Sequence, residues 1–274
     1  MIQFLSKTCS LVFFVSFFLG CNSSLKNENK DPSVYNQKLP ETASKLDSTN
    51  EIVVLKEAIV KEIPNENETG QCIYEQKMQE QGLVNIQKID SEILVELKYS
   101  TSDNFVGKDV YGCITNGYLQ PEVAEKLSRA SEKLMSINDS LRLLVYDGAR
   151  PHSIQKVLWN SLPKYKPSLR KNYVADPAEG SIHNYGSAVD LTIAKINGEA
   201  IDMGTKYDFF GELAYPKLED KMLAQGKLTT QQIENRKLLR NVMKAGGFMP
   251  IDYEWWHFNA FSRAEAKRKF EIVQ

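Results

Sequence analysis

The chain has 274 residues and a formal net charge of -1, from 34 basic and 35 acidic side chains. At 42% apolar and 25% charged residues, most of it can build one ordinary globular core. The mixed, near-neutral charge lacks the basic footprint of a nucleic-acid binder, and no partner of that class is expected.

Residues 1–21, "MIQFLSKTCSLVFFVSFFLGC", carry one lysine, an apolar run from Leu11 to Leu19, and then Gly20-Cys21. The run is too short to span a bilayer comfortably and fits the hydrophobic part of a secretory signal. Small Gly20 before Cys21 resembles a bacterial lipoprotein processing site, where the cysteine becomes the lipidated first residue. An uncleaved anchor and plain secretion are the alternatives. Lipidation would tether the chain to a membrane of the cell envelope, on the periplasmic side or at the outer membrane. Residues 22–75, rich in Asn, Ser, Lys, Glu and Thr, cannot bury enough apolar surface to offset ordering and read as a largely disordered polar tether. Cys9 goes with the signal and Cys21 takes the lipid, which leaves Cys72 and Cys113. In an oxidising compartment these favour a disulfide, and the lack of a C-x-x-C spacing argues against a thiolate metal site.

Periodic structure fills the domain expected over residues 76–274. "EILVELKYS" alternates like a strand. "PEVAEKLSRASEKLMSI" places Val123, Leu127, Ala130 and Leu134 at helical spacing, with Pro121 where helices begin. "LRLLVYD" and "AVDLTI" read as buried strands. Thr229 with Gln232 caps a helix carrying Ile233, Leu239 and Val242, and Gly246-Gly247 stops it. "WWHFNAF" is extended and aromatic. Helices and short strands in this mixed order predict an α+β domain.

The chain holds three histidines, and two of them stand beside carboxylates. "SIHNYGSAVDLTI" sets His183 seven residues before Asp190, and "EWWHF" sets Glu254 three before His257. Either histidine alone is explained as well by an ordinary buried hydrogen bond. Together, His183, Asp190 and His257 make a ligand set that suits a catalytic zinc with one position open for water. Glu254 is then placed to take a proton from that water, whose pKa the metal lowers toward ~7. On a regular strand, residues three or seven apart face opposite sides, so both pairs need a bend. Gly186, Ser187 and Ala188 supply one, and an irregular segment is expected beside His257. In "YDGARP", Arg150 leaves the end of a buried strand. It either stabilises an oxyanion or forms a structural ion pair with Asp147. His152 reads as a surface or helix-start residue.

These residues carry a resemblance. "SIHNYGSAVDLTI" fits S-x-H-x-x-G-x-A-x-D and "EWWHF" fits E-x-W-H, two motifs of the zinc D-alanyl-D-alanine dipeptidases, the VanX-like branch of peptidase family M15. "LKYSTSDNFVGKDVYG", "YDGARP", "DMGTKYDFF" and "NRKLLRNVMKAGGF" look like the same branch in the same order, over about residues 82–260. The resemblance implies a Hedgehog/D,D-peptidase-like fold, a small antiparallel sheet flanked by helices with one Zn2+ per chain. It implies His183, Asp190 and His257 as metal ligands, Glu254 as general base, and Arg150 as the group that stabilises the tetrahedral intermediate. Tyr99, Ser181 and Asp208 would surround the dipeptide, with Asp208 suited to its free ammonium. The substrate implied is D-Ala-D-Ala or a peptidoglycan fragment. A D,D- or L,D-carboxypeptidase is the nearest alternative, and an inactive zinc-containing wall-binding module a more distant one. Resistance members of the branch work in the cytoplasm, so an exported chain points instead to turnover or salvage of wall peptides.

Overall fold

The computed structural model describes residues 70–171 and 173–274. The leader, Cys21 and nearly all of the tether lie outside the described residues, among which no helix is long and apolar enough to cross a membrane. In chain order the elements are α1 (Ile73–Glu80), β1 (Val84–Asn85), α2 (Ile86–Ile89), β2 (Leu94–Val95), β3 (Tyr118–Leu119), α3 (Pro121–Ile137), β4 (Leu141–Asp147) and α4 (His152–Asn160). There follow α5 (Pro167–Arg170), β5 (Ala188–Lys195), α6 (Glu219–Ala224), α7 (Thr230–Gly246), β6 (Met249–Pro250), β7 (His257–Asn259) and α8 (Arg263–Lys269). The α+β class expected from the sequence is the one observed.

Ordered structure begins before the expected boundary at residue 76. Cys72 is disulfide-bonded to Cys113, and Tyr74 and Met78 of α1 are buried. The polar composition of residues 22–75 does not register a helix that is held by a crosslink and two large side chains.

Five strands form the main sheet in the order β2-β4-β5-β7-β6, and β1 pairs with β3 separately. The sheet is antiparallel except at its β2 edge, where Leu94 and Val95 run parallel to Leu144 and Val145. The small antiparallel sheet that was expected is present, with this one short parallel edge added. The chain between β2 and β4 contains α3, and this crossover is long enough to return the strand in the same direction. The run "EILVELKYS" yields only a two-residue strand because its alternation breaks off. Lys98–Ser100 form a 3₁₀ turn, and the Tyr99 carbonyl accepts from the backbone N–H groups of Val110 and Tyr111 at 2.9 and 3.0 Å.

Alternation along β4 and β5 divides the sheet's two faces. Leu143, Val145, Val189, Leu191 and Ile193 enter the core with Leu127 and Leu134 of α3 and Leu239 and Val242 of α7. Asp190 and Thr192 point the other way. The helices pack closely because Gly246 leaves room: a Cβ there would lie 2.5 Å from the Lys126 carbonyl oxygen. Helix α7 starts at the capping box of Thr229 and Gln232 and stops at Gly247, whose φ is 93°, as its sequence signals require.

The pairing of β4 with β5 is irregular at its end. Val145 pairs with Leu191, but the next pair is Asp147 with Asp190, so Tyr146 is an extra residue on β4. Regular alternation would send Asp147 into the core with Leu143 and Val145. The extra residue turns it to the face of Asp190. His257 of β7 also pairs with Asp190, and the register therefore sets Asp147, Asp190 and His257 side by side on three strands.

On that face a second apolar cluster, including Met78, Tyr99, Tyr111, Ile154 and Leu158, ties α1 and α4 to the loop after β2. The Cys72–Cys113 bond, with 41 residues of sequence separation, closes the same unit. Removing it by Cys113→Ser should lower unfolding free energy by about 2–4 kcal/mol. Urea denaturation measures this, and an unchanged midpoint would show that the crosslink constrains nothing that packing does not already fix.

Candidate metal centre and active site

His183 sits in a 3₁₀ turn, Ile182–Tyr185, that is capped at both ends. The Ser181 hydroxyl accepts from the His183 N–H at 3.3 Å, and the Ser181 N–H donates to Asn184 Oδ1 at 2.7 Å. Gly186 closes the turn at φ 60°, where a Cβ would also meet Leu83 at 3.0 Å. The chain then reverses into β5, bringing His183 and Asp190 to one side. This is the bend that their spacing demands.

Both imidazoles are oriented by groups behind them. His183 Nδ1 lies 2.8 Å from the Gly148 carbonyl oxygen, which can only accept, so Nδ1 carries the proton and Nε2 presents its lone pair. His257 Nε2 lies 2.8 Å from Asn259 Oδ1, which leaves Nδ1 pointing into the site. The two inward nitrogens are 3.2 Å apart. Asp190 Oδ1 is 2.9 Å from His257 Nδ1 and 3.3 Å from His183 Nε2. His183 and Asp190 are buried, and His257 is nearly so.

Two lone pairs and an anion converging this closely need a positive charge between them. In the protein without metal a proton supplies it. Burial opposes a charged His257, yet the Asp190 carboxylate raises its pKa to about 9. Asp190 is in turn held well below the usual carboxylate range, since the two imidazoles outweigh the cost of burying it. A metal ion would replace that proton, and the donor set fits one: two nitrogens and a carboxylate oxygen, each ring fixed by an outer hydrogen bond.

Arg150 stands next to this cluster, and both sequence-level readings of it describe part of its geometry. It is an ion-pair partner of Asp147, with Nε 3.0 Å from Oδ2, and its Nη2 also comes within 4.0 Å of Asp190 Oδ2. Nη1 donates to Gln155 Oε1 at 2.8 Å, and the guanidinium lies 5.1 Å from the centre of the Tyr99 ring. Asp147 accepts from the Tyr111 hydroxyl and from the Gly148 N–H. The guanidinium is thus buried but permanently charged, because Asp147 outweighs the desolvation.

Glu254 lies in the irregular stretch before β7, with Oε2 3.9 Å from His257 Nδ1. Burial raises its carboxyl, although His257 pulls the other way. That shift moves a carboxylate toward the range useful for a base near neutral pH. Asp208 occupies the left-handed region at φ 57° and accepts from the Tyr99 hydroxyl at 3.3 Å and the Phe105 N–H at 3.5 Å. Burial, reinforced by Asp190, pushes its carboxyl well up. Among the described residues no salt bridge reaches Asp208, and an arriving cation would favour its ionised form, opposing that shift. Ser181 stays at the base of the His183 turn, with its hydroxyl engaged in capping. His152 starts α4 and contacts the Pro177 carbonyl, away from this cluster.

Sequence reasoning missed several supporting groups. Asn259 follows His257 by two on a strand, a same-face spacing that could have revealed it. Asp147 entered only as a partner for Arg150, Tyr111 and Tyr207 (whose hydroxyl donates to Asp190 Oδ2) lay within quoted stretches without a role of their own, and Gln155 gave no signal.

The family model described as D-Ala-D-Ala dipeptidase, peptidase M15, matches residues 79–274. The chain belongs to this family. A D-alanyl-D-alanine dipeptidase of Escherichia coli K12 is 32% identical over 179 residues, covering 64% of this chain and 83% of that protein. One from Enterococcus faecium is 32% identical over 60% of this chain and 83% of its own length, and one from Streptomyces coelicolor is 29% identical over 63% and 88%. A solved LD-carboxypeptidase, LdcB, aligns only loosely, with a TM-score of 0.34 and 20% identity over 55% of this chain and 63% of that one. The assignment therefore rests on the family match. M15 peptidases are metal-dependent hydrolases, in agreement with the His183, Asp190 and His257 cluster.

With the His257 pKa at about 9, metal must compete with a proton at neutral pH. Apparent metal affinity should rise with pH and level off above about 9. Binding at pH 7 should release about one proton from this ring. Titration calorimetry in buffers of different ionisation enthalpy measures that release, and none at pH 7 would mean that His257 is already neutral.

Proposed function

We propose that this chain is a zinc-dependent D-alanyl-D-alanine dipeptidase, producing two D-alanines in the turnover or salvage of cell-wall peptides. The observation that carries the reading is the pair of imidazoles, each fixed from behind, whose inward nitrogens converge with Asp190 Oδ1, with the Glu254 carboxylate 3.9 Å from His257 Nδ1. Zinc at that point would polarise the scissile carbonyl and acidify a bound water.

The protein's own groups supply the rest. Glu254 takes a proton from water as its oxygen adds to the carbonyl carbon, and returns it to the leaving nitrogen when the C–N bond breaks. Arg150 stabilises the negative charge that develops on the carbonyl oxygen. Asp147 and Gln155 already hold its guanidinium in place, so that charge is met without reorganisation. Asp208, with Tyr99 against it, receives the ammonium of the dipeptide in a charge-assisted hydrogen bond. A half-buried carboxylate with no ion pair among the described residues favours the free dipeptide over a longer stem, whose corresponding nitrogen is an uncharged amide. The Cys72–Cys113 bond supports an oxidising compartment, in keeping with export and attachment through lipidated Cys21.

Glu254→Ala should keep zinc and lose about 10²–10⁴-fold in kcat, whereas His257→Ala should lose both metal and activity. Metal analysis with a D-alanine release assay separates them, and an active Glu254→Ala enzyme would remove this residue from the mechanism. The substrate reading is checked by comparing D-Ala-D-Ala with its N-acetyl form. Cleavage of the free dipeptide alone is expected; equal or better cleavage of the blocked form would indicate a carboxypeptidase.

A further inference from the structure

Asp190 has two oxygens, and only Oδ1 faces the two imidazoles. Its Oδ2 accepts a hydrogen bond of 2.9 Å from the hydroxyl of Tyr207. Arg150 Nη2, already committed to Asp147, lies 4.0 Å from the same oxygen. The Tyr207 ring is held on several sides, with ring centroids 5.4 Å from Tyr146, 5.4 Å from Trp256 and 6.0 Å from Tyr99. A fixed phenol therefore meets the outward oxygen of a residue whose inward oxygen closes the metal cluster.

We infer that Tyr207 is a positioning residue for the metal centre, and that its hydroxyl holds Asp190 as a single-oxygen ligand. The inference rests on the proposed metal site. A carboxylate can grip a metal through both oxygens. With Oδ2 accepting from Tyr207, Oδ1 alone is presented, and a coordination position is kept for water or substrate. The same bond fixes the carboxylate plane, so that no rotamer must be selected when metal arrives. Tyr207 is adjacent to Asp208, and the left-handed backbone at Asp208 sends the two side chains to different targets. One reaches the metal ligand, and the other reaches Tyr99 and the Phe105 N–H. One short segment thereby sets both the ligand geometry and the carboxylate assigned to the substrate ammonium.

The test uses the full chain with Tyr207→Phe, which keeps the ring and deletes only the hydroxyl. Tyr146→Phe is the control, since its ring belongs to the same aromatic group. Zinc affinity is read by competition with a chromophoric chelator, and ligand geometry by the visible absorption of the cobalt(II)-substituted protein. Tyr207→Phe should bind zinc about 10- to 100-fold more weakly and shift the cobalt bands, with Tyr146→Phe unchanged in both. Wild-type affinity and an unshifted cobalt spectrum in Tyr207→Phe would overturn the inference. So would equal losses in the two variants, or a Tyr207→Phe protein that fails to fold, because each makes the role one of packing. If the wild-type chain itself takes up no zinc, the proposed function falls along with this inference. Uptake by wild type and an indifferent Tyr207→Phe removes this inference alone.

Discussion

Two imidazole nitrogens 3.2 Å apart, with a carboxylate oxygen within 3.3 Å of both, form an arrangement that holds together only around a positive charge. Much of the architecture on that face serves to make it unavoidable. The Gly148 carbonyl and Asn259 fix the two rings so that neither can turn its lone pair away. The same arrangement accounts for the electrostatics around it: a proton retained by His257 and an aspartate kept ionised in a buried place. The raised carboxyls of the half-buried Glu254 and Asp208 owe most to desolvation, with the Asp190 charge adding to it.

The sheet register carries this arrangement. Asp190 pairs with His257 on one side and with Asp147 on the other, and Asp147 faces the site only because Tyr146 is extra on its strand. Asp147 then anchors Arg150, whose backbone N–H donates to the His183 carbonyl and whose own carbonyl accepts from Asn184. Arg150 and His183, the candidates for oxyanion stabilisation and metal binding, are thus fastened to each other through main-chain groups. A shift of one strand by one residue would disperse all of them.

The long, amphipathic parts were legible in the sequence. Helix α3, begun by Pro121, and helix α7, with its cap, follow from burial that repeats at the helix period, and the strands at 141–147 and 188–195 from short apolar runs buried along most of their length. The three residues of the candidate metal cluster were legible as well: histidines are rare in this chain, and two stand next to carboxylates. What stayed hidden depends on contacts between distant segments. The parallel β2 edge, the extra residue on β4 and the hydroxyl of Tyr207 have no local signature, since each is defined by a partner far away in sequence. Ser181, marked by its motif, accepts from the His183 N–H and so caps the turn that presents His183.

The central claim is that a single metal ion is held by His183 Nε2, His257 Nδ1 and Asp190 Oδ1. Diffraction from zinc-loaded crystals, collected on both sides of the zinc absorption edge, tests it most directly. One anomalous peak bonded to those three atoms, with Glu254 beside it but not ligating, is the predicted result. A peak elsewhere, or coordination through His183 Nδ1 at the expense of the Gly148 carbonyl bond, would contradict it.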